Sequence, residues 1–176
     1  MSTGSISQAA FDRIGGVLTR ALSDLSEEQL RIQPAGDQSN PIGWLAFHLC
    51  RVHDRNFSLL LGEPESWESD GWADRFGLPV ETGTLGRATL EEVRAFNPTN
   101  SETLLAYWEA ARERSRQFLE TLSDADLDNS SPISDKIPPN ETIKISIARV
   151  TGDTIQHIGQ IAYARGLVDR HGWYGA

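Results

Sequence analysis

Along most of this chain the apolar residues return at intervals of three and four, which places them on one face of an α-helix and suits no strand. Phe11, Ile14, Leu18, Leu22 and Leu25 form the first such stripe, predicting a helix over about 6–25. Leu45, His48, Leu49, Val52 and Leu59 form the second, in a stretch that Pro41 opens and Gly62 closes, residues suited to a first turn and a helix end. The third holds Leu104, Leu105, Trp108, Ala111, Ser115, Phe118, Leu119 and Leu122, with Glu109, Arg112, Glu113 and Arg116 on its other side. The fourth runs from about Thr142 to Leu167, with Gly166 or Gly172 marking its end. Its first residues, IKISI at 143–147, alternate like a strand but read as the start of that helix.

The connections are punctuated by turn residues. Ser26-Glu-Glu and then Pro34, Gly36 and Asn40 turn the chain between the first two helices. Residues 63–100 form an excursion too long for a simple link and rich in Trp67, Trp72 and Phe76. Within it Thr89 and Glu92 make a capping-box pattern, predicting a short helix that ends near Asn97-Pro98. The segment around Pro132, Pro138 and Pro139 reads as a loop. The pattern predicts an all-α fold, an antiparallel four-helix bundle with a long excursion between helices two and three, as one domain over 1–176. That length buries a core without disulfides or a structural metal.

Charge and cysteine content narrow the function classes. A net charge of −9 and the absence of a basic block argue against nucleic-acid binding. No stretch approaches the roughly 20 apolar residues that span a bilayer, so no membrane partner is expected. One cysteine, Cys50, excludes an intramolecular disulfide and a Cys-rich zinc site. With no basic, apolar leader at the amino terminus, the expected location is cytoplasmic.

The chemistry-bearing residues lie in TGDTIQHIGQIAYARGL. Asp153 and His157, four apart on a helix, share a face, so their side chains can meet at one atom. A buried carboxylate needs a partner, and a divalent transition ion accepts both a carboxylate oxygen and an imidazole nitrogen. A third ligand has to come from across the bundle, and the inward-facing His48 is the candidate. Three protein ligands leave a position open, as in catalytic sites. The plainer reading is a hydrogen-bonded Asp–His couple and a packed core histidine. His53, about 140° around the helix from His48, reads as pocket rim or surface, His171 as surface, and Cys50 as a small packed residue. Trp67, Trp72 and Phe76 offer an apolar wall for a substrate pocket, and Arg165 or Arg75 an anion clamp. No residue is assigned as catalytic, because water or substrate at the open position is expected to react.

The segments LSEEQLRIQPAGDQSNPIGWLAFHLCRVHDR, WADRFGLP, LLAYWEAARERSRQFLETLSDADL and HIGQIAYARGL followed by GWYG, in this order, make the chain similar to the DinB-like superfamily. That group includes the mycothiol-dependent maleylpyruvate isomerase and the YfiT-like metal-dependent hydrolases. The resemblance implies a four-helix bundle with zinc or nickel held at the positions of His48, Asp153 and His157, where the family usually carries His or Glu in place of Asp153. It further implies a thiol-dependent enzyme, using mycothiol or bacillithiol and a small-molecule electrophile, in which the metal lowers the thiol's pKa. A metal-dependent hydrolase and a non-enzymatic binding module are the alternatives, and a homodimer is a further expectation.

Overall fold

A computed structural model describes residues 3–97, 100–133, 141–169 and 172–175 of the chain. Pro98, Pro138, Pro139 and His171 lie outside the described residues. The described elements are helical: α1 (Thr3–Leu22), α2 (Glu27–Arg31), α3 (Ile42–Leu61), α4 (Ser66–Ser69), α5 (Trp72–Phe76), α6 (Leu90–Ala95), α7 (Ser101–Thr121) and α8 (Ile143–Val168). Among the described residues there is no strand, and the IKISI stretch begins α8. Ser130 and Thr142 make an isolated antiparallel bridge just before it.

Local chemistry sets the boundaries. The first helix stops at Leu22 rather than Leu25, because Ser26 starts α2: its side chain accepts from Gln29 N, and the Gln29 side chain caps Ser26 N in return. Pro41 precedes the first turn of α3, and Gly62 closes that helix in the left-handed region at φ 72°. Thr89 and Glu92 form the capping box that opens α6. α8 runs through Gly166 and ends at Val168, between the two glycines expected to mark its end.

Four long helices carry the core, α1 packing on α7 and α8, and α3 on the same two. Their directions follow from who meets whom. Asp12 pairs with Arg112 and Gly15 abuts Trp108, so α1 and α7 run antiparallel. His48 meets His157 while Asn56 bonds Arg149, so α3 and α8 do too. Cys50 reaches Leu104, His53 touches Trp108 and Phe57 touches Phe118, so α3 and α7 run parallel. Ile14 borders one groove with Ile158, and Arg165 bonds Ala21, so α1 and α8 are also parallel. The all-antiparallel expectation thus holds for two neighbouring pairs of four. The reason is the excursion, which carries the chain back along the 20 residues of α3, about 30 Å, before α7 starts in the same direction.

A buried polar network ties that excursion down. Asp54, with no solvent exposure, accepts from Ser66 N (3.0 Å), Trp67 N (2.9 Å), Tyr107 Oη (2.8 Å) and Ser58 Oγ (3.2 Å). The carboxylate therefore caps α4 from the side of α3. Trp67, Trp72 and Phe76 are buried against Phe47, Tyr107 and one another, where the sequence suggested a pocket wall. Large aromatics release the most water when they join a core, and here the core takes them.

Candidate metal centre

α3 and α8 bring His48, Asp153 and His157 together, with one ligand atom from each lying within 4.8 Å of the others. The two imidazoles meet edge to face at 4.5 Å between ring centroids, and His157 Nε2 stands 3.7 Å from Asp153 Oδ1. That separation is too long for a hydrogen bond, so the plain Asp–His couple is not formed. Asp153 Oδ2 is shut off from water and has no hydrogen-bond partner.

The outer nitrogens of both rings are engaged. His48 Nδ1 bonds the carbonyl of Thr84, and since a carbonyl only accepts, Nδ1 carries the proton and Nε2 keeps its lone pair. His157 Nδ1 donates to Gln160 Oε1 at 2.8 Å, which frees its Nε2 in the same way. Burial pushes the His48 pKa down, the Thr84 carbonyl opposes the shift, and the neighbouring His157 lowers it further. The neutral ring is the form that ligates. Trp44 stacks on the His48 ring at 5.2 Å, with only 7° between the planes.

Two imidazole lone pairs and an orphaned carboxylate oxygen fit a borderline divalent ion such as zinc or nickel. His48 is buried, whereas the side chains of His157 and Asp153 are 17% and 35% exposed, so solutes can reach the cluster from the α8 side. A cavity of about 320 Å³ begins one helical turn away, lined by Leu45, Gln160, Tyr163, Ala164, Leu167 and the segment 34–40. A second, open one of about 650 Å³ is lined by Arg55, Glu92 and residues 83–88, the loop that touches His48.

The remaining residues singled out from the sequence lie elsewhere. Arg165 is buried and spends its guanidinium on the carbonyls of Ala21 (3.2 Å) and Ser23 (2.7 Å) and on Asp169 (2.9 Å), which closes the end of α1. Arg75 lies over Trp72 at 4.3 Å. Cys50 is fully buried, its thiol pKa pushed well up by burial, as suits a packing residue. His53 is a correction: it is completely buried among Phe11, Phe57 and Trp108, not on a rim. Sequence reasoning missed Thr84 and Gln160. Gln160 shows a signal, its i+3 spacing from His157, but a backbone carbonyl shows none.

A family model described as the DinB superfamily matches residues 10–161. Among solved structures, the crystal structure of a conserved protein from Enterococcus faecalis superposes with a TM-score of 0.85 at 24% identity, covering 96% of this chain and 98% of that one. It is similar in fold. No curated protein matches the chain.

Proposed function

The chain belongs to the DinB superfamily, and we propose that it is a divalent-metal-dependent enzyme, a transferase that adds a low-molecular-weight thiol to a small electrophile. The observation that carries this reading is the convergence of two imidazoles, both with Nδ1 engaged and Nε2 free, on a carboxylate oxygen that lacks a partner. Zinc or nickel held there by His48, Asp153 and His157 would supply a Lewis acid that lowers the pKa of a thiol or of water.

The chain's own residues do the rest. Thr84 and Gln160 fix the tautomers, and the negative charge of Asp153 offsets part of the ion's charge. The cavity bordered by Leu45, Gln160, Ala164 and Leu167 receives the apolar body of the substrate. The thiol assignment, mycothiol or bacillithiol, follows from the family resemblance. In this reading the four long helices form a four-helix bundle with the site between two of them. Ile155, Gly159 and Tyr163, exposed on α8, offer an apolar face to a second copy of the chain. A cytoplasmic location accords with the lone buried cysteine, and no described helix is long and apolar enough to cross a membrane.

The test is elemental analysis of untagged protein purified without a nickel column or chelator, beside His157→Ala. About one zinc or nickel ion per chain is expected in the parent and none in the variant, with equal helical circular dichroism. Loaded protein then consumes an electrophile only when a thiol is added. Turnover without thiol means a hydrolase, and a parent that takes up no metal even when supplied overturns the enzyme reading.

A further inference from the structure

Between α5 and α6 the chain has no helix, yet its course is fixed at alternate residues. Trp67 Nε1 donates to the carbonyl of Val80 (3.0 Å), Arg51 Nη2 to that of Thr82 (2.9 Å), and His48 Nδ1 to that of Thr84. Val80 lies in a turn closed by Thr82 N donating to the Pro79 carbonyl (2.9 Å), and from that turn to Thr84 every second carbonyl is held by a side chain from the core. The run ends at Leu85, in the left-handed region at φ 59°, and the chain then passes Gly86 beneath His48. A Cβ on Gly86 would sit 3.1 Å from His48 Cε1.

The middle anchor is the strongest. Arg51 is buried, lies over the Trp67 ring at 4.4 Å, and donates from Nη1 to Glu65 (2.7 Å) and to Tyr107 Oη (3.2 Å). Tyr107 in turn donates its own hydrogen bond to Asp54 (2.8 Å). The Trp67 ring, Glu65 and Tyr107 hold the planar fork in one orientation, and Nη2 is left to hold the loop.

We infer that Arg51 is a positioning residue for the metal centre, acting through Thr82 to set the 82–86 segment that holds His48 in its Nδ1–H tautomer with Nε2 free. This rests on the metal reading only for its consequence. The tautomer is a property of the metal-free chain, whereas partners of ligating histidines commonly change metal affinity by about 10–100-fold.

The experiment compares the parent with Arg51→Met and Gly86→Ala, the second leaving the buried charges untouched while crowding His48. Long-range proton–nitrogen correlation spectra of metal-free protein, at about pH 8 where imidazole is neutral, report the tautomer. Zinc titration reports affinity, and circular dichroism reports folding. Expected are a single Nδ1–H tautomer for His48 in the parent, a mixture in both variants, and zinc affinity lower by about 10-fold or more. A pure Nδ1–H tautomer and parental affinity in Arg51→Met overturn the inference. Should that variant lose its helical signal, Arg51→Lys, which keeps the charge but not the planar fork, takes its place, and the same result there overturns the inference. Altered tautomers in a chain whose parent binds no zinc would leave the clamp standing and remove the metal reading.

Discussion

His53 shows what a single buried side chain does to the whole protein. Its ring packs within 5 Å of Phe11, Phe57 and Trp108, at 4.6, 4.7 and 4.9 Å between centroids, and neither nitrogen has a partner. Burial pushes its pKa down to about 3, with the charge of Arg112 adding to the effect. Unfolded, the ring titrates near 6.5, so below that pH the unfolded chain takes up a proton that the folded chain refuses. The stability contribution is therefore whole above about pH 6.5 and is lost as the pH falls toward 3, at about 1.4 kcal/mol per pH unit. His53→Phe keeps an aromatic ring among aromatic neighbours and removes the proton. Denaturant midpoints should show the variant gaining on the parent steadily from pH 6.5 to 4, and a constant difference across that range would refute the assignment. The sequence made His48 and His157 legible, because helical spacing speaks about one face of one helix. It turned His53 away from that site correctly but missed its burial, because its walls come largely from α1 and α7, far away in sequence.

At the scale of elements, the cap of Thr89 with Glu92 was readable as local chemistry, whereas Ser26 read only as a turn and its box with Gln29, which opens α2, was missed. How the excursion attaches to α3 was not readable, since it depends on Asp54 accepting two backbone N–H groups from residues twelve and thirteen further on. Replacing Asp54 by Ala leaves those donors, the Tyr107 hydroxyl and the nearby Arg51 guanidinium short of an acceptor in a dry interior. Uncompensated buried charge and lost hydrogen bonds of this kind cost about 3–5 kcal/mol. Asp54→Ala should thus lower the unfolding midpoint severely and expose residues 63–100 to limited proteolysis before the rest of the chain is cut. Cleavage spread evenly over the molecule would show that the carboxylate does not anchor the excursion. Asp153 and His157, by contrast, stand where the buried face of α8 meets its solvent face, flanked by buried Val150 and Ile161 and by exposed Gln156 and Gln160. That border explains why the pair stood out in an apolar sequence and still remains reachable.

For the molecule as a whole, the consequence lies in where the donors sit relative to the chain's path. The helical class followed from period alone, but period carries no direction, and the parallel pairs α1/α8 and α3/α7 arise from how far the excursion travels before α7 begins. As a result His48 and His157 are 109 residues apart in sequence, 157 less 48, and touch across an antiparallel pair separated in the chain by the excursion, α7 and the segment that follows it. An ion shared by α3 and α8 binds an arrangement that the unfolded chain lacks, so it stabilises the folded state by mass action. At a free concentration a hundred times the dissociation constant the gain is about 2.7 kcal/mol. In a domain of this length that raises the thermal midpoint by roughly 5–10 °C. Zinc should produce this rise in the parent, a chelator should reverse it, and His157→Ala should melt at one temperature with or without the ion. An equal rise in the variant would place the stabilising ion on some other part of the molecule, and with it would fall the claim that these three side chains join the two helices through a metal.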